Sequence, residues 1–123
     1  DDIWNDEDIK KLVHTIYGRV ELNETLSNIF NDVATVHWES HLPIMVDFWS
    51  NMIFRTGRYK GRPFQKHMPL PIKKSDFEIW YNLFTKTVDE LFEGERATFA
   101  KTMAARIASA FTLRMEQAGK FNS

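Results

Sequence analysis

The chain contains no cysteine. Disulfides, zinc ribbons, thiolate ligation of a metal and covalent attachment of a prosthetic group through C-x-x-C-H are therefore excluded together. The same absence fits a reducing compartment, and a cytoplasmic location is the expectation. Net charge is also nearly missing: sixteen Lys and Arg against seventeen Asp and Glu leave a formal charge of -1. No long-range field then draws the chain to nucleic acid or to an anionic membrane, and neither is expected as a partner. No apolar run approaches the roughly 18 residues of a bilayer-spanning helix, and no signal-like apolar region opens the chain. Strand patterns are lacking, because no alternating apolar and polar run survives beyond a few residues. Glycine is scarce, with five residues, and proline scarcer, with four. Three of those prolines, Pro63, Pro69 and Pro71, fall with Gly57 and Gly61 in one short segment.

What the chain has instead is aromatic residues, 14% of the total, including ten Phe and four Trp. They bring large buried area, suited either to an aromatic-rich core or to wrapping something flat and apolar. At 123 residues the chain is expected to form one domain over 1–123. Its pattern predicts an all-α fold of five helical segments. The first spans about Asp6–Val20, capped by Asn5 or Asp6, with Ile9, Leu12, Val13, Ile16, Tyr17 and Val20 on one face. A short one follows at about Glu24–Asp32. The third runs from Thr35 or Trp38 to Arg55 and stops at Gly57, with Trp38, His41, Leu42, Met45, Phe48, Trp49, Met52 and Ile53 as its stripe. Pro43 must lie in or near its first turns, since deeper in it would remove a backbone hydrogen bond. Ser75 and Glu78 form a capping-box pattern that predicts the start of the fourth helix, which carries Phe77, Trp80, Tyr81, Phe84, Val88 and Leu91 and ends at Gly94. The last spans about Arg96–Gln117, with Phe99, Met103, Ile107, Ala110 and Phe111 inward.

His67 is the sharpest candidate for chemistry. Pro63 before it and Pro69 and Pro71 after it stiffen the backbone, as a metal-ligating imidazole requires. A neutral imidazole beside an aromatic cavity suits haem iron; on local sequence alone a surface histidine remains open. Tyr17 lies on an apolar face, where a buried phenol needs a hydrogen-bond partner, either backbone or a bound ligand. Trp80 has a donor-only indole and the same two readings. His41 is a pocket gate, a sixth iron ligand or a solvated side chain. Arg58, Arg62 and Lys66 are candidates to pair haem propionates, or a solvated cluster. No Ser/His/Asp arrangement, carboxylate pair or phosphate loop is present. A metal site of His41, His67 and a carboxylate stays open from residue types.

Several motifs resemble one family. They are Ile-Tyr-Gly-Arg-Val at 16–20, Ile-Phe at 29–30, Trp-Glu-Ser-His at 38–41 and Asp-Phe-Trp at 47–49. Gly-Arg-Tyr-Lys-Gly-Arg-Pro-Phe-Gln-Lys-His at 57–67, Leu-Pro at 70–71 and Phe-Glu-Ile-Trp-Tyr-Asn-Leu-Phe at 77–84 complete the set. Over about Ile9 to Ala118 the chain is similar to the third group of truncated haemoglobins. The resemblance implies a shortened globin, a two-over-two helical sandwich around haem b. By position His67 matches the iron ligand. Tyr17 and Trp80 match polar donors on the opposite, distal side, and His41 the distal-helix histidine. Phe30, Met45, Phe48 and Trp49 fall where the family lines the haem, and Phe64 and Ile107 are further candidates to contact it. Pro43 departs from the family pattern.

The implied function is binding of dioxygen or other diatomic ligands, with Tyr17 and Trp80 slowing release. An alternative is a haem redox enzyme consuming peroxide or nitric oxide, with an unidentified reductase as partner. A haem-free helical interaction module is the third reading.

Overall fold

The computed structural model describes residues 1–27, 38–59 and 73–117, with side chains from His41 onward in the middle stretch. Among these residues the elements are helices: α1 (Asp6–Leu22), α2 (Glu24–Ser27), α3 (Trp38–Phe54), α4 (Lys74–Leu91) and α5 (Glu95–Gln117). Two packed pairs form the frame, α1 with α3 and α4 with α5. They are joined crosswise by α1 on α4 and α3 on α5. The all-α content is what the periodicity predicts, and the pairing matches the two-over-two sandwich that the family resemblance implies.

α1 begins where the Asn5 side chain accepts from the Asp8 N–H at 3.0 Å, and Asp6, Glu7 and Asp8 favour its positive end. Its buried residues are the expected stripe, Ile9 through Val20 with Tyr17 included. The chain turns at Asn23, whose side chain accepts from the Leu26 N–H at 2.9 Å and opens α2. Beyond Ser27 the expected extent of α2 lies outside the described residues, as do Ile29 and Phe30.

α3 starts five residues before Pro43, so the missing N–H falls in its second turn, near the start as the sequence requires. It buries Val46, Phe48 and Trp49, and half-buries Leu42, Met45, Met52, Ile53 and Phe54. It ends as Arg55 enters the left-handed region at φ 56°. Gly57 follows at φ 74°, its N–H bonded to Asn51 Oδ1 at 2.7 Å.

The start of α4 differs from the expected capping box. Ser75 and Glu78 are exposed, and the cap lies two residues earlier, at Lys73: Asp76 Oδ2 accepts from the Lys73 N–H at 2.8 Å. Its other end comes at Leu91, with Phe92 as the cap, before Gly94 is reached.

α5 also differs. Its buried face is Ala97, Ala100, Ala104 and Met115, with Met103, Ile107, Ala108 and Phe111 half-buried, whereas Phe99 is 42% exposed and Ala110 is exposed. Small residues let α5 approach α4 closely, and that closeness turns Phe99 outward. The α5 start is capped from the far end of the chain. Asp2 accepts from the N–H groups of Arg96 at 3.0 Å and Ala97 at 2.9 Å, and from its neighbour Ile3 at 2.8 Å. Gly94 adopts φ 146°, and a Cβ there would meet Asp2 Cγ at 2.5 Å. The Arg96 guanidinium then sits 5.1 Å from the Trp4 ring and 5.4 Å from that of Phe54. The first five residues are thus tied to α3 and α5.

Candidate functional site

Tyr17 comes from the fourth turn of α1, and only 9% of it is exposed. Facing it are Trp80 from the second turn of α4 and His41 from the first turn of α3. The Trp80 indole N–H donates to the Tyr17 hydroxyl oxygen. The His41 ring stands edge-on to Tyr17, centroids 5.7 Å apart and planes at 89°. Desolvation pushes the Tyr17 hydroxyl up to about 12, the Trp80 bond opposing that shift in part. Tyr17 is therefore a neutral phenol at any physiological pH. A phenol whose oxygen accepts from an indole still carries an O–H of its own. Trp80 has a single N–H, and that hydrogen is directed at Tyr17. A direct bond from Trp80 to a ligand would have to share it.

Around this triad lies an aromatic and aliphatic lining. Trp80 packs on Phe84 at 5.4 Å, Phe84 on Trp49 at 4.7 Å and Trp49 on Phe48 at 5.3 Å. Met45, one turn beyond His41, and Ile107 on α5 are half-buried against the core. Of the sequence candidates, Tyr17, His41, Met45, Phe48, Trp49, Trp80 and Ile107 are described. His67, Phe30 and Phe64 lie outside the described residues, as do Arg62 and Lys66. Among the described residues no group of three or more His, Asp or Glu side chains is arranged to hold a metal ion.

Arg58 is committed elsewhere than the sequence suggests. Its guanidinium bonds both Asp6 oxygens, at 2.8 and 3.0 Å, donates to Ser50 Oγ and reaches Asp47 at 3.4 Å. The Arg58 bonds hold the Asp6 carboxyl below its usual range despite some burial. Ser50, fully buried in α3, donates to Asp6 at 3.0 Å. The clamp fixes the departure of the chain after α3 to the start of α1, and it places Tyr59 flat on Phe48 at 5.2 Å. Sequence reasoning did not find this cluster. Its one signal is a serine next to Trp49, beside the apolar stripe of α3.

The family model described as bacterial-like globin matches residues 1–113. Group 3 truncated haemoglobin ctb of Campylobacter jejuni is 32% identical over 111 residues, 87% of each chain. The crystal structure of a group III truncated haemoglobin from the same organism superposes with a TM-score of 0.84 at 30% identity, covering 93% of each chain. No helix among the described residues is long and apolar enough to cross a membrane. With its crossed helix pairs and its phenol, indole and imidazole gathered at one place, the chain belongs to the bacterial-like globins, in the third group of truncated haemoglobins, a family that binds small ligands at haem iron.

Proposed function

We propose that this chain is a single globin domain over 1–123, that His67 ligates the iron of haem b, and that Tyr17 is the principal donor to dioxygen or another diatomic ligand. The described residues suit that group: Met45, Phe48, Trp49 and Ile107 offer apolar surface for a flat macrocycle, and Tyr17, Trp80 and His41 gather polar atoms at one edge of it. Haem supplies an iron with a coordination position for the ligand. The chain supplies everything that decides how long the ligand stays.

The observation that carries this reading is the gathering of a buried phenol, an imidazole 5.7 Å from it and the Trp80 indole from three separate helices. An indole that holds a buried phenol by its oxygen pre-orients the O–H, so no reorganisation is needed when a ligand acquires negative charge. The retention this provides suits scavenging or sensing better than delivery. Phe30 and Phe64 complete the proposed lining, and the cytoplasm is the proposed location. The test is the absorption spectrum of haem-loaded protein in ferric, ferrous and carbon-monoxide forms. Wild type should show a Soret band that shifts with carbon monoxide. His67→Ala should lose the histidine-ligated form and regain it with added imidazole. An unchanged His67→Ala spectrum would refute the ligation.

A further inference from the structure

The rings from Trp80 outward form an unbroken path. Trp80 meets Phe84 at 5.4 Å, Phe84 meets Trp49 at 4.7 Å, Trp49 meets Phe48 at 5.3 Å and Phe48 meets Tyr59 at 5.2 Å. The interplanar angles stay between 29° and 41°: Phe48 and Tyr59 are stacked, and the other three pairs are tilted. The three oxidisable side chains, Trp80, Trp49 and Tyr59, are each separated from the next by one phenylalanine ring. Edge-to-face contacts serve core packing as well as these do, and packing alone asks for no oxidisable side chain at either end. The two ends differ. Trp80 lies beside the buried Tyr17 in the candidate pocket, whereas Tyr59 is half-buried in the stretch after α3, with part of its side chain open to solvent. Tyr59 is also held in place, by the Arg58 clamp before it and by Phe48 beneath it.

We infer that these rings are a one-electron relay that carries electrons from Tyr59 at the surface, through Trp49 and Trp80, to peroxide reduced in the haem pocket. The relay rests on the haem reading above. Reduction of one hydrogen peroxide to two waters takes two electrons and two protons. Each electron leaves by way of Trp80, is replaced from Trp49 across Phe84, and then from Tyr59 across Phe48. Tyr59, oxidised by one electron, releases its phenolic proton to water. A small phenol or enediol in solution then restores Tyr59, giving up one electron and one proton and becoming a radical itself. Two such turns balance one peroxide. Buried Tyr17 is a poorer terminus, because its proton has no bulk water to enter.

The test uses haem-loaded protein whose Soret band and carbon-monoxide spectrum are recorded first. Peroxide is then added, and samples are freeze-quenched for electron paramagnetic resonance with ring-deuterated tyrosine as the assignment label. A tyrosyl signal that narrows on deuteration is expected. Tyr59→Phe should lose it while keeping the carbon-monoxide spectrum and the oxygen off-rate of wild type. Phe84→Leu, which keeps the core filled but removes a bridging ring, should leave the radical on tryptophan. An undiminished tyrosyl signal in Tyr59→Phe would overturn the relay, as would its loss in Tyr17→Phe alone, or the absence of any protein radical. Failure to form a Soret band is a separate outcome, seen before peroxide is added, and it would remove the haem reading and the relay together.

Discussion

The bond from Trp80 to Tyr17 makes a prediction about non-additivity. Tyr17→Phe removes the donor that a bound ligand uses. It also leaves the Trp80 N–H without its acceptor in a water-poor site, at a cost of about 1–3 kcal/mol in stability. Loss of one hydrogen bond of about 1.4 kcal/mol from the bound state should raise the oxygen off-rate about tenfold. Trp80→Phe keeps the phenol but frees it to turn, so the off-rate should rise by less than in Tyr17→Phe. If Trp80 acts through Tyr17, removing it from a chain that already lacks the phenol should change little. The double variant should then release oxygen no faster than Tyr17→Phe alone, with a coupling energy about equal to the whole Trp80→Phe effect, within the roughly 0.5–3 kcal/mol range of contacting pairs. Stopped-flow displacement of oxygen by carbon monoxide measures all four rates. Equal multiplication of the off-rate by Trp80→Phe in both backgrounds would refute the reasoning and make Trp80 an independent donor to the ligand.

Other outcomes follow from the same contacts. Tyr17 is raised from about 10 to about 12 by desolvation; its contribution is intact below the unfolded value and declines as pH rises through that window. Chemical denaturation across it should show a loss that Tyr17→Phe abolishes. Asp2→Ala should destabilise the fold by about 1–3 kcal/mol, because it strands buried amides at the start of α5. Burial raises the Asp2 carboxyl, but the amides of Arg96, Ile3 and Ala97 outweigh it and hold the group below its usual value. Its stabilisation is therefore present above about pH 3.9 and disappears as pH falls through the lower folded value, so acid unfolding of Asp2→Ala should be shallower. Gly94→Ala should lower the thermal midpoint, since the new methyl group collides with Asp2 and φ 146° is strained for alanine; an unchanged midpoint would show that the first residues are not docked there in solution.

The helices were legible where one periodicity dominates. α1 shows this best, since every residue of its stripe is buried and Tyr17 falls inside it. Near helix starts, several residue types compete for the same amides. Ser75 and Glu78 offered a pattern as good as any, yet the bond at the helix start goes from the Lys73 N–H to Asp76. On α5 the ranking by size misled: Phe99 is the largest apolar residue of the first turns, yet close helix packing selected Ala97, Ala100 and Ala104. At the site, the residue types of Tyr17, Trp80 and His41 announced a polar cluster on apolar faces. Which of them donates to which was not legible, because the three lie on separate helices and no spacing encodes a mutual angle. The Asp2 cap lies 94 residues from Arg96 in the chain, so nothing local announces it.

That long-range cap also sets an order of events during synthesis. Asp2 is made well before its partner Ala97, so α5 cannot acquire its capped start until Ala97 has emerged and Asp2 has found it. Growing chains are therefore expected to carry α1 to α4 before this link closes, a late step in the folding of the domain during synthesis.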